Sequence, residues 1–147
     1  MEKVEASGVE DVSVLETWKR LEGDPKTVLV DVRTRAEWAF VGVPDLSKIN
    51  KDVMLIEWQT FPDSRIAPDF IERLTAALAA KGVEKNTEIF FICRSGGRSR
   101  MAAEAIAGAG YSRCRNVMEG FEGPLDAAQH RSQIAGWKFA GLNWLQG

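Results

Sequence analysis

One stretch constrains this chain more than any other: Ile89 through Arg100. The run Ile89-Phe90-Phe91-Ile92 has the length and uniform apolarity of a buried strand. It stops at Cys93. The polar loop Arg94-Ser95-Gly96-Gly97-Arg98-Ser99 follows, and Met101, Ala102, Ala105, Ile106 and Ala109 then recur at helical spacing. Strand, tight loop and helix in that order put Cys93 at the carboxyl end of a strand, where open α/β sheets hold their ligands.

That position has chemical consequences. Helix amino termini carry free N–H groups and a positive dipole end, and both favour an anion. Arg94, Arg98 and Arg100 add positive charge. A thiol so placed is expected to ionise more readily than a free one, and the thiolate is the nucleophile. Gly96 and Gly97 are expected to let the backbone curl into a nest of inward N–H groups. A buried packing cysteine needs neither two glycines nor two arginines after it, so the stretch reads as an anion cradle holding a nucleophile.

Upstream, Ser13 to Glu16 has the form of a capping box, followed by an apolar stripe of Val14, Leu15, Trp18 and Leu21. Thr27 to Val32 reads as a strand ending at Asp31-Val32-Arg33. Thr34 to Glu37 offers a second capping box, for a short helix carrying Trp38 and Val41. Val43 to Lys51 looks irregular, and Val53 to Ile56 is a third strand. Pro68 opens a helix with the stripe Phe70, Ile71, Leu74, Ala77 and Leu78, which Gly82 ends. A last strand runs around Cys114 to Met118. Strands alternating with helices predict an α/β sandwich on a mainly parallel sheet.

The loop Cys93-Arg94-Ser95-Gly96-Gly97-Arg98-Ser99 resembles the active-site loop of rhodanese-like sulfurtransferases. Asp31-Val32-Arg33 with Glu37-Trp38 is similar to that family's upstream signature. Gly110-Tyr111, Asn116-Val117, Glu119-Gly120-Phe121 and Gly136-Trp137 through Ala140-Gly141-Leu142 resemble its later landmarks. The resemblance spans Val12 to Trp144. It implies a three-layer sandwich, a five-stranded sheet with helices on both faces, within one domain over residues 1–147. It implies Cys93 as the catalytic sulfur acceptor, with Arg94, Ser95, Gly96, Gly97, Arg98 and Ser99 binding the substrate. The reaction it implies is transfer of sulfane sulfur from thiosulfate or a persulfide to a thiol or cyanide, through a persulfide on Cys93. No metal and no organic cofactor are required.

Asp31 and Arg33 are read as supports for the loop, with Asp31 holding Arg98, and Glu37 as a helix cap. Trp58 and Phe61, in a polar loop beyond a strand, are expected at the pocket mouth, while Trp18, Trp38 and Trp137 sit in core patterns. Residues 124–133 look like an insertion relative to the family pattern, either shaping access to Cys93 or forming a solvent loop. Val41-Gly42-Val43-Pro44 also departs from that pattern, in the pocket wall. His130, the only histidine, is read as a surface residue rather than a base for Cys93.

Two other functions compete. Phosphatases and arsenate reductases also use a cysteine in an anion loop, but their signature spaces cysteine and arginine one residue further apart than Cys93 and Arg98. A non-catalytic binding module of the same shape is the second; it would form no persulfide.

The 147 residues suit one core, and 45% apolar with 27% charged residues is ordinary for a globular protein. A net charge of −2 gives no general attraction to nucleic acid or anionic membranes. No run has the length of a membrane span, and the amino terminus lacks the apolar core of a signal peptide. A cytoplasmic location is the default expectation. Two cysteines, Cys93 and Cys114, do not make a disulfide scaffold. Reduced thiols are the simpler reading, with Cys114 a packing residue rather than a resolving thiol.

Overall fold

The computed structural model describes residues 8–60 and 65–146. The expectation for Phe61 lies outside the described residues. In chain order the elements are β1 (Glu10–Val12), α1 (Val14–Gly23), β2 (Val28–Asp31), α2 (Arg35–Val41), β3 (Val43–Pro44), β4 (Met54–Leu55), α3 (Phe70–Ala80), β5 (Glu88–Ile92), α4 (Gly97–Gly108), β6 (Arg113–Val117) and β7 (Trp144–Leu145). Five strands form one sheet in the order β1-β6-β5-β2-β4, and every pairing in it is parallel.

The period-two alternation of β5 divides the interior into two layers. Ile89, Phe91 and Cys93 face one core with Val30, Met54, Phe70, Leu74 and Leu78 of α3, and Ala102, Ala103 and Ile106 of α4. Phe90 and Ile92 face the other, with Leu29, Val14 and Leu21 of α1, and Phe121 and Trp137. Helices therefore cover both faces, which is why Ile89 to Ile92 of β5 is an unbroken apolar run rather than alternating.

Local chemistry sets the helix starts. The Ser13 hydroxyl accepts from the Glu16 amide at 3.1 Å, while Glu16 turns to Arg20 instead of completing the box. In α1 the expected stripe changes at one position: Leu15 is exposed, and Thr17 is buried with its hydroxyl donating to the Ser13 carbonyl at 2.8 Å. At α2 the box is complete, Thr34 Oγ1 accepting from the Glu37 amide and Glu37 Oε1 from the Thr34 amide. Trp137 is buried as expected, but Trp18 and Trp38 are only half-buried.

Three features depart from expectation. The short edge strand β1 carries exposed Glu10 and Asp11 around buried Val9 and Val12, too few apolar positions to read as a strand. The stretch expected to be irregular, Val43 to Lys51, contains β3, which pairs antiparallel with β7, and a 3₁₀ turn at Ser47–Ile49. Trp58 is not at a pocket mouth. It is 8% exposed and packs edge-on against Phe70 at 4.9 Å between ring centres, because Trp58 N–H donates to Val32 O and turns the chain inward.

Candidate active site at Cys93

The connections from β2 and β5 leave in opposite directions. From β2 the chain passes to β4 on one side; from β5 it passes through α4 to β6 on the other. The two strands are neighbours, so their carboxyl ends form the crevice in which open α/β sheets bind ligands. Asp31 ends β2 and Cys93 follows β5, joined across the gap by Val32 N–H donating to Ile92 O at 3.0 Å.

The loop after Cys93 is braced from beneath. Phe121 N–H donates to Cys93 O at 2.8 Å, and the amides of Glu122 and Gly123 donate to Arg94 O at 3.0 and 3.1 Å. Gly120 lies so close to the Arg94 carbonyl that no side chain fits there. Gly96 takes φ +111° and caps α4. Its N–H points inward and donates to Cys93 Sγ at 3.2 Å. The amides of Gly97, Arg98 and Ser99 precede the first helical bond, Arg100 N–H to Gly96 O, and have no acceptor within the helix. Of the two glycines expected to curl the backbone, only Gly96 has positive φ. Gly97 is an ordinary first-turn residue in open space.

Cys93 itself is 1% exposed. Besides the Gly96 amide, its sulfur meets Ser99 Oγ at 3.2 Å. Ser99 Oγ also meets Gly96 O at 3.2 Å and Asn116 Oδ1 at 2.6 Å. Arg94 and Ser95 are exposed on the loop surface.

Arg98 is not held by Asp31. It makes a two-pronged pair with Glu37, Nη1 to Oε1 at 2.7 Å and Nη2 to Oε2 at 2.9 Å. Burial works against the Glu37 charge, but the Arg98 hydrogen bonds and charge, with the Thr34 amide, outweigh it and bring its pKa down to about 2. The same pairing raises Arg98, against the effect of burial. Glu37 is thus both the cap of α2 and the anchor of the loop. Its place in the acidic-aromatic pair after Asp31-Val32-Arg33 was the one signal in the sequence for that second role.

Asp31 is taken by Arg33 instead. Both are fully buried, with Nη2 to Oδ2 at 2.7 Å and Nε to Oδ1 at 3.0 Å. Arg33 also donates to Gly42 O at 2.7 Å and lies over the Phe121 ring, 4.2 Å from its centre. The pair ties the end of β2 to the start of β3 and to the turn beneath the loop. Geometry decides the swap: Arg33 is two residues from Asp31 on the same strand end, and Glu37 of α2 bonds Arg98, on which Asp31 acts through its charge alone among the described residues.

Above the loop lies a cleft of about 800 Å³, lined by Arg94 and Arg98, by Glu37 and Phe40 of α2, and by Gln129, His130 and Arg131. Of the segment 124–133, Gln129, His130 and Arg131 therefore shape this opening. They are fixed there: Asp126 Oδ1 accepts the amides of Ala128 and His130, and Arg131 donates to Gly123 O at 2.7 Å. His130 is exposed, and among the described residues no hydrogen bond joins it to Cys93. A second hollow, about 590 Å³, lies at the opposite ends of the strands around Thr27, Lys51 and Thr87. Its Lys51 ammonium is already bonded to Pro25 O and Thr27 O.

Cys114 pairs in register with Ile89, four residues before Cys93. At roughly 3.3 Å per residue that is about 13 Å along the strand, beyond the reach of a disulfide. Both thiols are free. Burial pushes the Cys114 thiol up to about 12, only partly offset by Arg115. Among the described residues no group of three or more histidine, cysteine or carboxylate side chains is placed to hold a metal. No helix among them is long and apolar enough to cross a membrane.

Residues 8–147 match the family described as STR4 middle domain. The chain is 36% identical over 136 residues to an uncharacterized protein of Rickettsia conorii, covering 92% of this chain and 97% of that one. It is 26% identical over 144 residues to the Arabidopsis thaliana rhodanese-like domain-containing protein 4, chloroplastic, spanning 27% of that protein. Among solved structures, Rv0390 from M. tuberculosis superposes with a TM-score of 0.84 at 42% identity, over 95% of this chain and 98% of that one. The polysulfide-sulfur transferase homodimer from Wolinella succinogenes shares the fold, with a TM-score of 0.61 at 19% identity, over 95% and 80% of the two chains.

Proposed function

The chain belongs to the STR4 middle-domain family, a rhodanese-like fold, and from that premise we propose that it is a sulfurtransferase working through a persulfide on Cys93. One observation carries the reading. A single sulfur sits in the crevice between β2 and β5, at the amino terminus of a twelve-residue helix, with the Gly96 amide donating to it at 3.2 Å. The Gly96 amide and the helix amino terminus thus set a donor and a positive dipole end beside that sulfur.

The reaction has two displacements. The Cys93 thiolate attacks the outer sulfur of thiosulfate or a persulfide, forming a new S–S bond as the donor's own S–S bond breaks. The electron pair leaves with sulfite or a thiolate. A thiolate or cyanide then attacks the terminal sulfur of the Cys93 persulfide, and the Cys93 thiolate departs. Negative charge rests near the loop throughout, and the Gly96 amide and the first-turn amides of α4 stabilise it without reorganising. Arg94, exposed at the cleft, attracts anionic donors. Arg98 acts mainly through Glu37, fixing the loop, because its guanidinium is already paired. Ser95, Gly97 and Ser99 complete the cradle, and Asp31 with Arg33 supports it from below. Small donors and acceptors and a cytoplasmic location belong to the same reading.

A non-catalytic binding module is the second reading, and the 1% exposure of Cys93 favours it. One comparison separates these readings and the phosphatase alternative: thiosulfate-to-cyanide transfer against aryl-phosphate hydrolysis, each with Cys93→Ser as control. The sulfurtransferase reading expects transfer by the wild type and a loss of several orders of magnitude in the variant. Phosphate hydrolysis that depends on Cys93, or no transfer from any donor, would overturn it.

A further inference from the structure

The Ser99 hydroxyl has one proton and three neighbours that could take it: Asn116 Oδ1 at 2.6 Å, Gly96 O at 3.2 Å and Cys93 Sγ at 3.2 Å. Ser99 is fully buried, so water does not relieve the competition. The shortest contact, to Asn116, has the geometry of the strongest bond.

The orientation of Asn116 is itself imposed. Its Nδ2 donates to Asp11 Oδ1 at 3.0 Å. A carboxylate only accepts, so the amide nitrogen must face Asp11 and the amide oxygen must face Ser99. Asp11 and Asn116 are register partners on the parallel strands β1 and β6, which places the two side chains side by side. Arg100 Nη1, from α4, donates to the same oxygen, Asp11 Oδ1, at 2.8 Å. Three elements thus converge on one hydroxyl.

We propose that Asp11 and Asn116 are positioning residues that commit the Ser99 proton away from the Cys93 sulfur. The inference rests on Cys93 being the reacting sulfur. With its proton on Asn116, Ser99 presents a lone pair to Sγ. It accepts from a neutral thiol and gives nothing to a thiolate. The Gly96 amide and the Ser99 lone pair therefore act on the sulfur in opposite senses, and the balance is set from the protein surface, at Asp11.

The decisive measurement is the thiolate-to-thiol ratio at Cys93 near neutral pH, read from thiolate ultraviolet absorbance with Cys93→Ser as the blank. Cys114, with its pKa near 12, contributes nothing there. It needs no sulfur transfer, so it can succeed or fail apart from the assay of function. Asp11→Asn is isosteric and half-exposed, and its amide no longer dictates which way Asn116 faces. Asn116 can then turn its nitrogen to Ser99, and the hydroxyl donates to sulfur. The ratio is expected to rise roughly fivefold, the worth of one net hydrogen bond. Asn116→Leu, which removes the acceptor outright, should raise it in the same sense. In a Ser99→Ala background neither change should have any effect, since the path runs through that hydroxyl. An unchanged or lower ratio in Asp11→Asn, or a rise that persists without Ser99, would overturn the proposal.

Discussion

At the scale of single residues, Gly96 bears a double constraint. It combines φ +111° with a close approach to the Met118 carbonyl oxygen, which a Cβ would overlap. No other residue satisfies both demands. Gly96→Ala is expected to destabilise the protein by about 1–3 kcal/mol, and to displace the amide that faces Sγ, lowering sulfur transfer about 100-fold. Gly97→Ala meets nothing within 4 Å and should be tolerated. Thermal unfolding and transfer kinetics of the pair check this; equal sensitivity at both glycines would contradict it. The residues of the loop were legible in the sequence because they are contiguous. Which of its two glycines carries the bend was not, because that depends on the β6 end packing against it.

At the scale of elements, the site is an assembly of distant segments. Glu37 of α2 reaches Arg98 at the start of α4 across 61 positions in sequence. The pKa of Glu37 is depressed, so the pairing stabilises the fold fully above the ordinary carboxyl value, 4.5, and the benefit is lost as pH falls from there toward about 2. Glu37→Gln should cost about 1.5–3 kcal/mol at neutral pH, the range for hydrogen bonds to a charged group. It should also flatten the dependence of denaturant stability on pH over that acid window. A variant as acid-sensitive as the wild type would contradict this account. Sequence spacing offered Asp31 as the partner of Arg98 because Asp31 ends a strand predicted to lie parallel to the one that leads into the Arg98 loop. It could not show that Arg33 reaches Asp31 first. Trp58 shows the reverse failure: its polar neighbours suggested a surface position, yet Phe70, twelve residues on, supplies the face that buries it.

At the scale of the molecule, the parallel sheet was legible from the alternation of strands and helices, and the apolar run Ile89 to Ile92 marked its centre. Less legible were β1 and the β3–β7 pair, whose two or three residues each take their structure from partners far along the chain. Those short strands bear on the site around Cys93. β1 delivers Asp11 to the neighbourhood of Cys93, and the carboxyl-terminal segment braces the turn beneath the loop, with Trp137 N–H donating to Gly120 O at 2.9 Å. The whole arrangement converges on one ionisable sulfur in the crevice between β2 and β5. Intact-protein mass spectrometry after incubation with thiosulfate tests that convergence most directly. The account predicts the gain of a single sulfur atom, removed by a thiol reductant, absent in Cys93→Ala and retained in Cys114→Ala. No added sulfur in the wild type from thiosulfate or an organic persulfide, or an addition that survives in Cys93→Ala, would contradict it.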